Sequence, residues 1–257
     1  KAKYIQFCYF YGVRGYINAK KVIRSLLMVG LVHLTASIHA QSLTVGGVSG
    51  GLTLATNGVG GELNVLAQQT SLVKNQRINL SFQTVKHARE TKVQNKRYVN
   101  PKSYVYGKLN AAAVVRLSYS ATKQIGHTKA SKPSAFWGFS IGPSLGILKP
   151  YYIGYENNLQ ENSGTIILPQ SPETITNQDS IYGPANWTAG MNELSFRPGL
   201  HFATYFSINW NHSFYFQRWE TGMRFDYFPG ELEILHLANN KAFTSIYTSY
   251  ILGKRKP

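Results

Sequence analysis

The chain is poor in acid, in cysteine and in long apolar runs, and each shortage removes a class of protein. Charged residues make up 15% of the 257, and only 11 are Asp or Glu, against 27 Lys and Arg. An unfolded chain needs high charge and few large apolar side chains, which a composition 43% hydrophobic and 13% aromatic does not provide. Cys8 is the one cysteine, so no disulfide framework can be drawn within the chain. No apolar run beyond the N-terminal region approaches the roughly 18 residues of a membrane-crossing helix. Nor is there an internal repeat of fixed period, which disfavours a solenoid or propeller.

What is abundant is Gly (23), Tyr (17) and Phe (13). Glycine and aromatics with little charge suit a β-rich protein that keeps much of its surface out of water. The stretch "AKKVIRSLLMVGLVHLTASIHA" has a different character, with Lys20, Lys21 and Arg24 preceding an apolar run from Leu26 to Ala36 and a small residue, Ala40, closing it. That is the layout of a secretory signal peptide, with cleavage expected before Gln41 and Lys1 to Asn18 lying upstream. Cleavage would remove Lys1, Lys3, Arg14, Lys20, Lys21 and Arg24 but no acid, lowering the net charge from +16 to +10. It would also remove Cys8, and no lipid-bearing cysteine follows. The expected division is therefore a removed segment, 1–40, and a single β domain, 41–257.

Eight segments of the mature chain alternate with period 2, the signature of strands with two unlike faces. They are Val48 to Thr56, Gly61 to Thr70, Arg77 to Val85, Leu109 to Thr122, Phe136 to Leu148, Phe196 to Trp210, Ser213 to Phe228 and Ala242 to Leu252. In the sixth, Phe196, Leu200, Phe202, Phe206, Ile208 and Trp210 oppose Arg197, Gly199, His201, Tyr205, Ser207 and Asn209. The fifth has a nearly bare second face of Gly138, Ser140, Gly142, Ser144 and Gly146. In the seventh, Arg218, Glu220, Arg224 and Asp226 lie opposite a continuous aromatic stripe. Several segments reach the roughly 9–11 residues that a tilted strand needs to cross a bilayer.

Alternation alone leaves open which face is inside. A soluble calyx would bury the aromatic face, whereas an outer-membrane barrel turns it to lipid and fills its lumen with the polar one. Loop lengths favour the second arrangement. The third connection (about 86–108) and the fifth (about 149–194) are the longest, and both are odd-numbered, as external loops of a barrel with an internal N-terminus must be. The seventh, "GELEILHLANNK", reads as a moderate loop. The fold expected is thus an all-β, eight-stranded antiparallel up-and-down barrel of outer-membrane type. Its lumen would be filled by a network of Glu62, Arg77, Arg116, Arg197, His201, Arg218, Glu220, Arg224 and Asp226, with the bare face of the fifth segment making room for them.

Three further pieces resemble a known family. "TNGVGGELN", "VNPKSYVYGKLN" and "GPSLGILKPYYI" are similar to segments of an uncharacterised family of outer-membrane β-barrel proteins from Bacteroidota, over roughly residues 48 to 254. The resemblance implies export and outer-membrane localisation but supplies no activity and no catalytic residue. The chain departs from the common barrel pattern in its basic tail after Leu252, where many barrels end on an aromatic residue.

Little in the sequence points to catalysis or metal. The seven histidines are scattered, and "GGVSGG" lacks the Lys-Ser/Thr that follows a phosphate-binding loop. No metal site and no cofactor is expected. His201 is the one candidate base, with Ser195 or Ser207 as hydroxyl and Glu220 or Asp226 as acid, in a lipid-modifying barrel enzyme. The third connection is the better binding candidate. Lys86, Arg89, Lys92, Lys96, Arg97, Lys102 and Lys108 face a single acid, Glu90, and would offer charge-assisted hydrogen bonds to lipopolysaccharide phosphates. A signal peptide makes nucleic acid an improbable partner for this loop. The fifth connection, acidic, amide-rich and carrying Trp187, could cap the barrel mouth or contact an envelope-protein partner or a glycan.

Overall fold

The computed structural model describes residues 45–67, 76–97, 102–125, 133–157, 164–170, 178–211, 215–236 and 238–255, with two short strands nearer the N-terminus. Lys1–Thr44 and Val45–Pro257 form separate compact units. In the first, Ile5–Gln6 pairs antiparallel with Tyr16–Ile17. The expected signal peptide, its cleavage site and Cys8 lie outside the described residues.

Period-2 alternation in the second unit produces eight long strands: β1 (Val45–Ala55), β2 (Gly58–Ala67), β3 (Gln76–Val85), β4 (Asn110–Gln124), β5 (Ser134–Pro150), β6 (Ser195–Asn211), β7 (Tyr215–Leu235) and β8 (Ala238–Arg255). Each pairs antiparallel with its neighbour in sequence, and β8 returns to pair with β1 from Tyr247↔Ala55 to Arg255↔Gly47, closing the barrel. Closure leaves no free edge for backbone donors and acceptors. The β1–β2 hairpin turns tightly on the two-residue loop Thr56–Asn57, closed by the Ala55↔Gly58 pair.

Every strand turns its apolar side outward. Leu52 (76% exposed), Leu63, Leu80, Leu117, Ile141, Leu200, Met223 and Ile246 are all exposed, one from each strand of the circle. On β6, Phe196, Leu200, Phe202, Phe206 and Trp210 point out, while His201, Tyr205, Ser207 and Asn209 are buried in the lumen. The soluble calyx reading needs the reverse facing, so this arrangement excludes it. The polar row of a closed small barrel has only the interior to occupy, and there it must find partners.

The sequence reading misplaced one long element. "GELEIL" is not loop but the upper part of β7, with Leu232 and Ile234 buried inside and Glu231 and Glu233 exposed. The seventh connection is therefore a short turn at the top of a projecting hairpin. The signal is present, since those six residues alternate, although Pro229 and Gly230 are residue types that commonly end a strand. The short second, fourth and sixth connections lie largely outside the described residues.

Two apolar groupings close the end from which the odd-numbered connections emerge (the cap end). Phe228, Leu232, Ile234, Leu235 and Phe243 from β7 and β8 meet Val85, Val114 and Leu148 from the facing wall. Phe228 packs edge-on to Phe243, with ring centroids 6.3 Å apart and planes at 72°. The Phe228 ring lies so close to β6 that a Cβ added at Gly199 would come within 2.5 Å of it. Above this plug, Lys92–Val93 pairs with Tyr104–Val105, and the fifth connection forms a three-stranded sheet of Gly164–Pro169, Tyr152–Asn157 and Ile181–Pro184. The two connections share a small core of Tyr104, Ile153 and Ile181, and Asn95 donates to the carbonyls of Asp179 and Ile181 at 2.9 and 3.0 Å.

Candidate functional site

The lumen is polar between two stoppers. At the opposite (turn) end, Phe216 is buried against Gly253, where an added Cβ would come within 2.4 Å of its ring. Between Phe216 and Phe228, the inward row of β7 carries Arg218, Glu220, Arg224 and Asp226, all buried. Of the expected residues, Glu62, Arg77, Arg116, His201, Arg218, Glu220, Arg224 and Asp226 are buried, and the β6–β7 register explains some of their contacts.

Nearest the plug, His201 and Asp226 are direct register partners on β6 and β7, and both face in. His201 Nδ1 lies 3.1 Å from Asp226 Oδ1, so the imidazole carries its proton on Nδ1, because a carboxylate can only accept. Arg116 reaches across from β4 and grips the same carboxylate with two bonds, Nε and Nη2, each 2.7 Å. Its Nη1 donates to Gln83 Oε1 at 3.2 Å, and Arg224 donates to the same oxygen. Such a bidentate fork fixes position as well as charge.

Nearer the turn end, Arg77 pairs with Glu220 at 2.5 Å and stacks over Tyr205, 4.9 Å from the ring centroid. Tyr247 donates its hydroxyl proton to Glu220 Oε1 at 2.8 Å, and Arg224 lies 4.1 Å from the centroid of the Tyr247 ring. Asn79 links Glu62 Oε2 (2.5 Å) to Asn64 Oδ1 (2.8 Å). Arg218 donates to Asn209 Oδ1 at 2.8 Å and sits over Phe216. Arg197 stands apart. It is half-buried at the cap end of β6, beside Gly230, and joins none of the ion pairs found among the described residues.

The hydroxyl that meets His201 is neither Ser195 nor Ser207 but Ser140, whose Oγ lies 3.3 Å from His201 Nε2. His201 is in register with Gly142 of β5, so its ring lies over a bare stretch and reaches the serine two residues along. Sequence reasoning treated the small face of β5 as empty room and so missed this contact. Ser140, His201 and Asp226 have the order of a nucleophile, base and orienting acid. Here all three are buried, both carboxylate oxygens are held by Arg116, and the apolar plug lies on the cap side. The arrangement ties β4, β5, β6 and β7 together across the lumen.

The basic connection divides differently from expectation. Lys108 is buried, pairs with Glu90 at 2.9 Å and lies 5.8 Å from the Tyr151 ring centroid, so it holds the cap together and is not free for an external anion. Lys86, Arg89, Lys92, Lys96, Arg97 and Lys102 remain exposed. Among the described residues, no group of three or more His, Cys, Asp and Glu could hold a metal ion.

His87 lies beneath the cap. Its Nδ1 accepts the Arg89 amide proton at 3.2 Å, and its Nε2 faces the Asn240 side-chain amide at 3.0 Å. Burial, reinforced by Arg89 and opposed by Glu90, lowers its pKa below the ordinary 6.5. The folded cap therefore takes up this proton less readily than the unfolded chain does. Its contribution is complete above about pH 6.5 and is lost as pH falls towards the depressed folded value. Amides of residues 86–97 and 102–106 should exchange faster at pH 5 than at pH 7.5 once intrinsic rates are corrected for, and His87→Gln should remove that difference. Equal protection at both pH values would refute the assignment.

No protein-family model matches the chain, and no curated protein matches it in sequence. Among solved structures, the crystal structure of neisserial surface protein A is similar in fold, with a TM-score of 0.42, 8% sequence identity, and coverage of 84% of this chain and 100% of that one.

Proposed function

We propose that the protein is an outer-membrane β-barrel, a structural or interaction component of the cell envelope rather than an open pore. One observation carries this reading: the apolar exterior runs around all eight strands. Among the described residues, charges on that face come only at its margins, with Lys123 and Lys254 towards the turn end and Lys149, Glu231, Glu233 and Lys241 towards the cap end. A protein partner or a second copy covers one side of a barrel, whereas lipid covers the whole circumference. The aromatic rows Trp137, Trp210, Tyr215, Trp219 and Tyr250 belong at the interface of such a belt. The likeness of "TNGVGGELN" and its companion segments to a Bacteroidota barrel family is part of this proposal.

In this reading the cap faces outward from the cell. Lys86, Arg89, Lys92, Lys96, Arg97 and Lys102 meet lipopolysaccharide phosphates, and exposed Trp187 and Met191 offer a contact for an envelope protein. The mature chain should stay with outer membranes through an alkaline carbonate wash. Phe202→Arg, an outward change in mid-strand, should cost about 2–4 kcal/mol of stability in bilayers. Release by carbonate, or a harmless Phe202→Arg, would overturn the lipid-facing assignment.

The Ser140–His201–Asp226 geometry supports a second reading, a lipid-modifying barrel. An unchanged lipid A and phospholipid profile in a His201→Ala strain would retire it.

A further inference from the structure

The barrel interior carries one more cation than it has anions to match. Of the 11 acidic residues, Glu62, Glu220 and Asp226 are the three on inward positions of the barrel strands, against the buried guanidiniums of Arg77, Arg116, Arg218 and Arg224. Asp226 answers Arg116 and Glu220 answers Arg77. The third acid, Glu62, is bonded to Asn79 and acts electrostatically on Arg77 and Arg224, and Arg224 also has the Gln83 oxygen and the Tyr247 ring. Arg218 is left with a neutral acceptor, Asn209 Oδ1, and the Phe216 ring, and it makes no ion pair among the described residues. A guanidinium cannot shed its proton to escape burial, so an unmatched one calls for a counter-charge.

A second set of observations points to the same place. Arg77 uses Nη2 on Glu220, but its Nε and Nη1 are buried with no hydrogen-bond partner. Ser207 Oγ is buried and likewise unpartnered. Ser207 is in register with Glu220, and Asn209, two residues along the same inward row, is in register with Arg218. Arg77 lies over Tyr205, the preceding inward residue of that row. Arg77 acts on Arg218 as a like charge, and the more weakly acting Glu220 and Glu62 offset it in part without bonding to Arg218. Three sets of unused or neutrally matched donors therefore lie along the Tyr205–Ser207–Asn209 row of β6, from the level of Gly222 through Glu220 to Arg218.

We propose that this part of the lumen binds a small inorganic anion of the halide class, held by the side chains of Arg77, Arg218 and Ser207. The ion supplies negative charge beside Arg218 and accepts from Arg77 Nε and Nη1 and from Ser207 Oγ, which are buried without a hydrogen-bond partner among the described residues. It is a structural counter-ion between the Phe216 stopper and the polar midsection, and it requires neither catalysis nor transport.

The test uses the mature barrel refolded in a zwitterionic detergent. Its urea midpoint is measured at constant ionic strength while sodium gluconate is exchanged for sodium chloride or sodium bromide. The expected result is a midpoint that rises with halide concentration as a single-site ligand requires. Arg218→Gln should weaken the apparent halide affinity by about tenfold or more, as loss of a charged hydrogen bond would. Ser207→Ala should weaken it less. Crystals grown with bromide should show an anomalous peak beside Arg77 and Arg218. Should Arg218→Gln fail to fold, the wild-type halide titration and the bromide peak decide the matter. Equal midpoints in gluconate and halide, with no peak at this position, would mean that water alone fills the site and would overturn the proposal.

Discussion

Replacing Arg116 with methionine is expected to destabilise the barrel by about 3–5 kcal/mol, the cost of stranding one member of a buried ion pair. Arg116 is fully buried, and its two 2.7 Å bonds occupy both oxygens of Asp226, itself 2% exposed. Without the guanidinium, Asp226 keeps only His201, and Gln83 Oε1 loses one of its two donors. The double replacement Arg116→Met with Asp226→Leu should recover most of the loss, because apolar groups of similar volume leave no charge unmatched. Arg116→Lys should not, since an ammonium cannot form the planar fork that spans both oxygens. Urea unfolding followed by tryptophan fluorescence measures all three. A loss below about 1 kcal/mol for the single replacement would place the pair with exposed surface bridges instead.

Phe228→Ala should have an effect of similar size through a different cause. Deleting a buried phenylalanine ring typically costs about 3–5 kcal/mol, combining lost transfer energy with the cavity left behind. Phe228 is completely buried, with Phe243 at its edge and Gly146 and Gly199 beneath it. The glycines are what admit the ring, so Gly199→Val should displace it from the other side. Its Cβ would meet Phe228 Cδ1 at 2.5 Å and the Tyr227 carbonyl oxygen at 2.6 Å. Because both changes act on one contact, the double variant should be less destabilised than the sum of the two singles. Additive losses would show that the ring and the glycine do not share a packing site.

These two effects also show what could be read from the sequence. The inward rows of β6 and β7 were legible because a strand's side chains alternate strictly, so Arg218, Glu220, Arg224, Asp226 and His201 had to share a face. Which acid meets which base was not legible, because Arg116 and Asp226 are 110 residues apart and meet only when the barrel closes. Ser140 was not legible because its contact with His201 depends on the β5–β6 register, and the small face of β5 reads as empty room. Lys108 looked like its basic neighbours, yet Glu90 and Tyr151 bury it, and nothing in local composition distinguishes it from exposed Lys102. The upper part of β7 was legible in the alternation of "GELEIL", although Pro229 and Gly230 usually end a strand. On the outer face at the end of a barrel they extend it.

The pairing of β8 with β1 sets the timing of assembly. The seam joins Gly47 through Ala55 to Tyr247 through Arg255, so the ladder that completes the circle waits for almost the whole chain. Contacts so distant in sequence form slowly, because their loop-closure entropy must be met before they contribute. The Arg77–Glu220 and Arg224–Gln83 contacts, 143 and 141 residues apart, depend on the same event. A sheet that has failed to close keeps these guanidiniums without partners and cannot settle in an apolar surrounding. On the outer-membrane reading proposed above, only the finished ring hides these charges, so a partly made barrel would carry them unmatched into the bilayer at the cost of their desolvation.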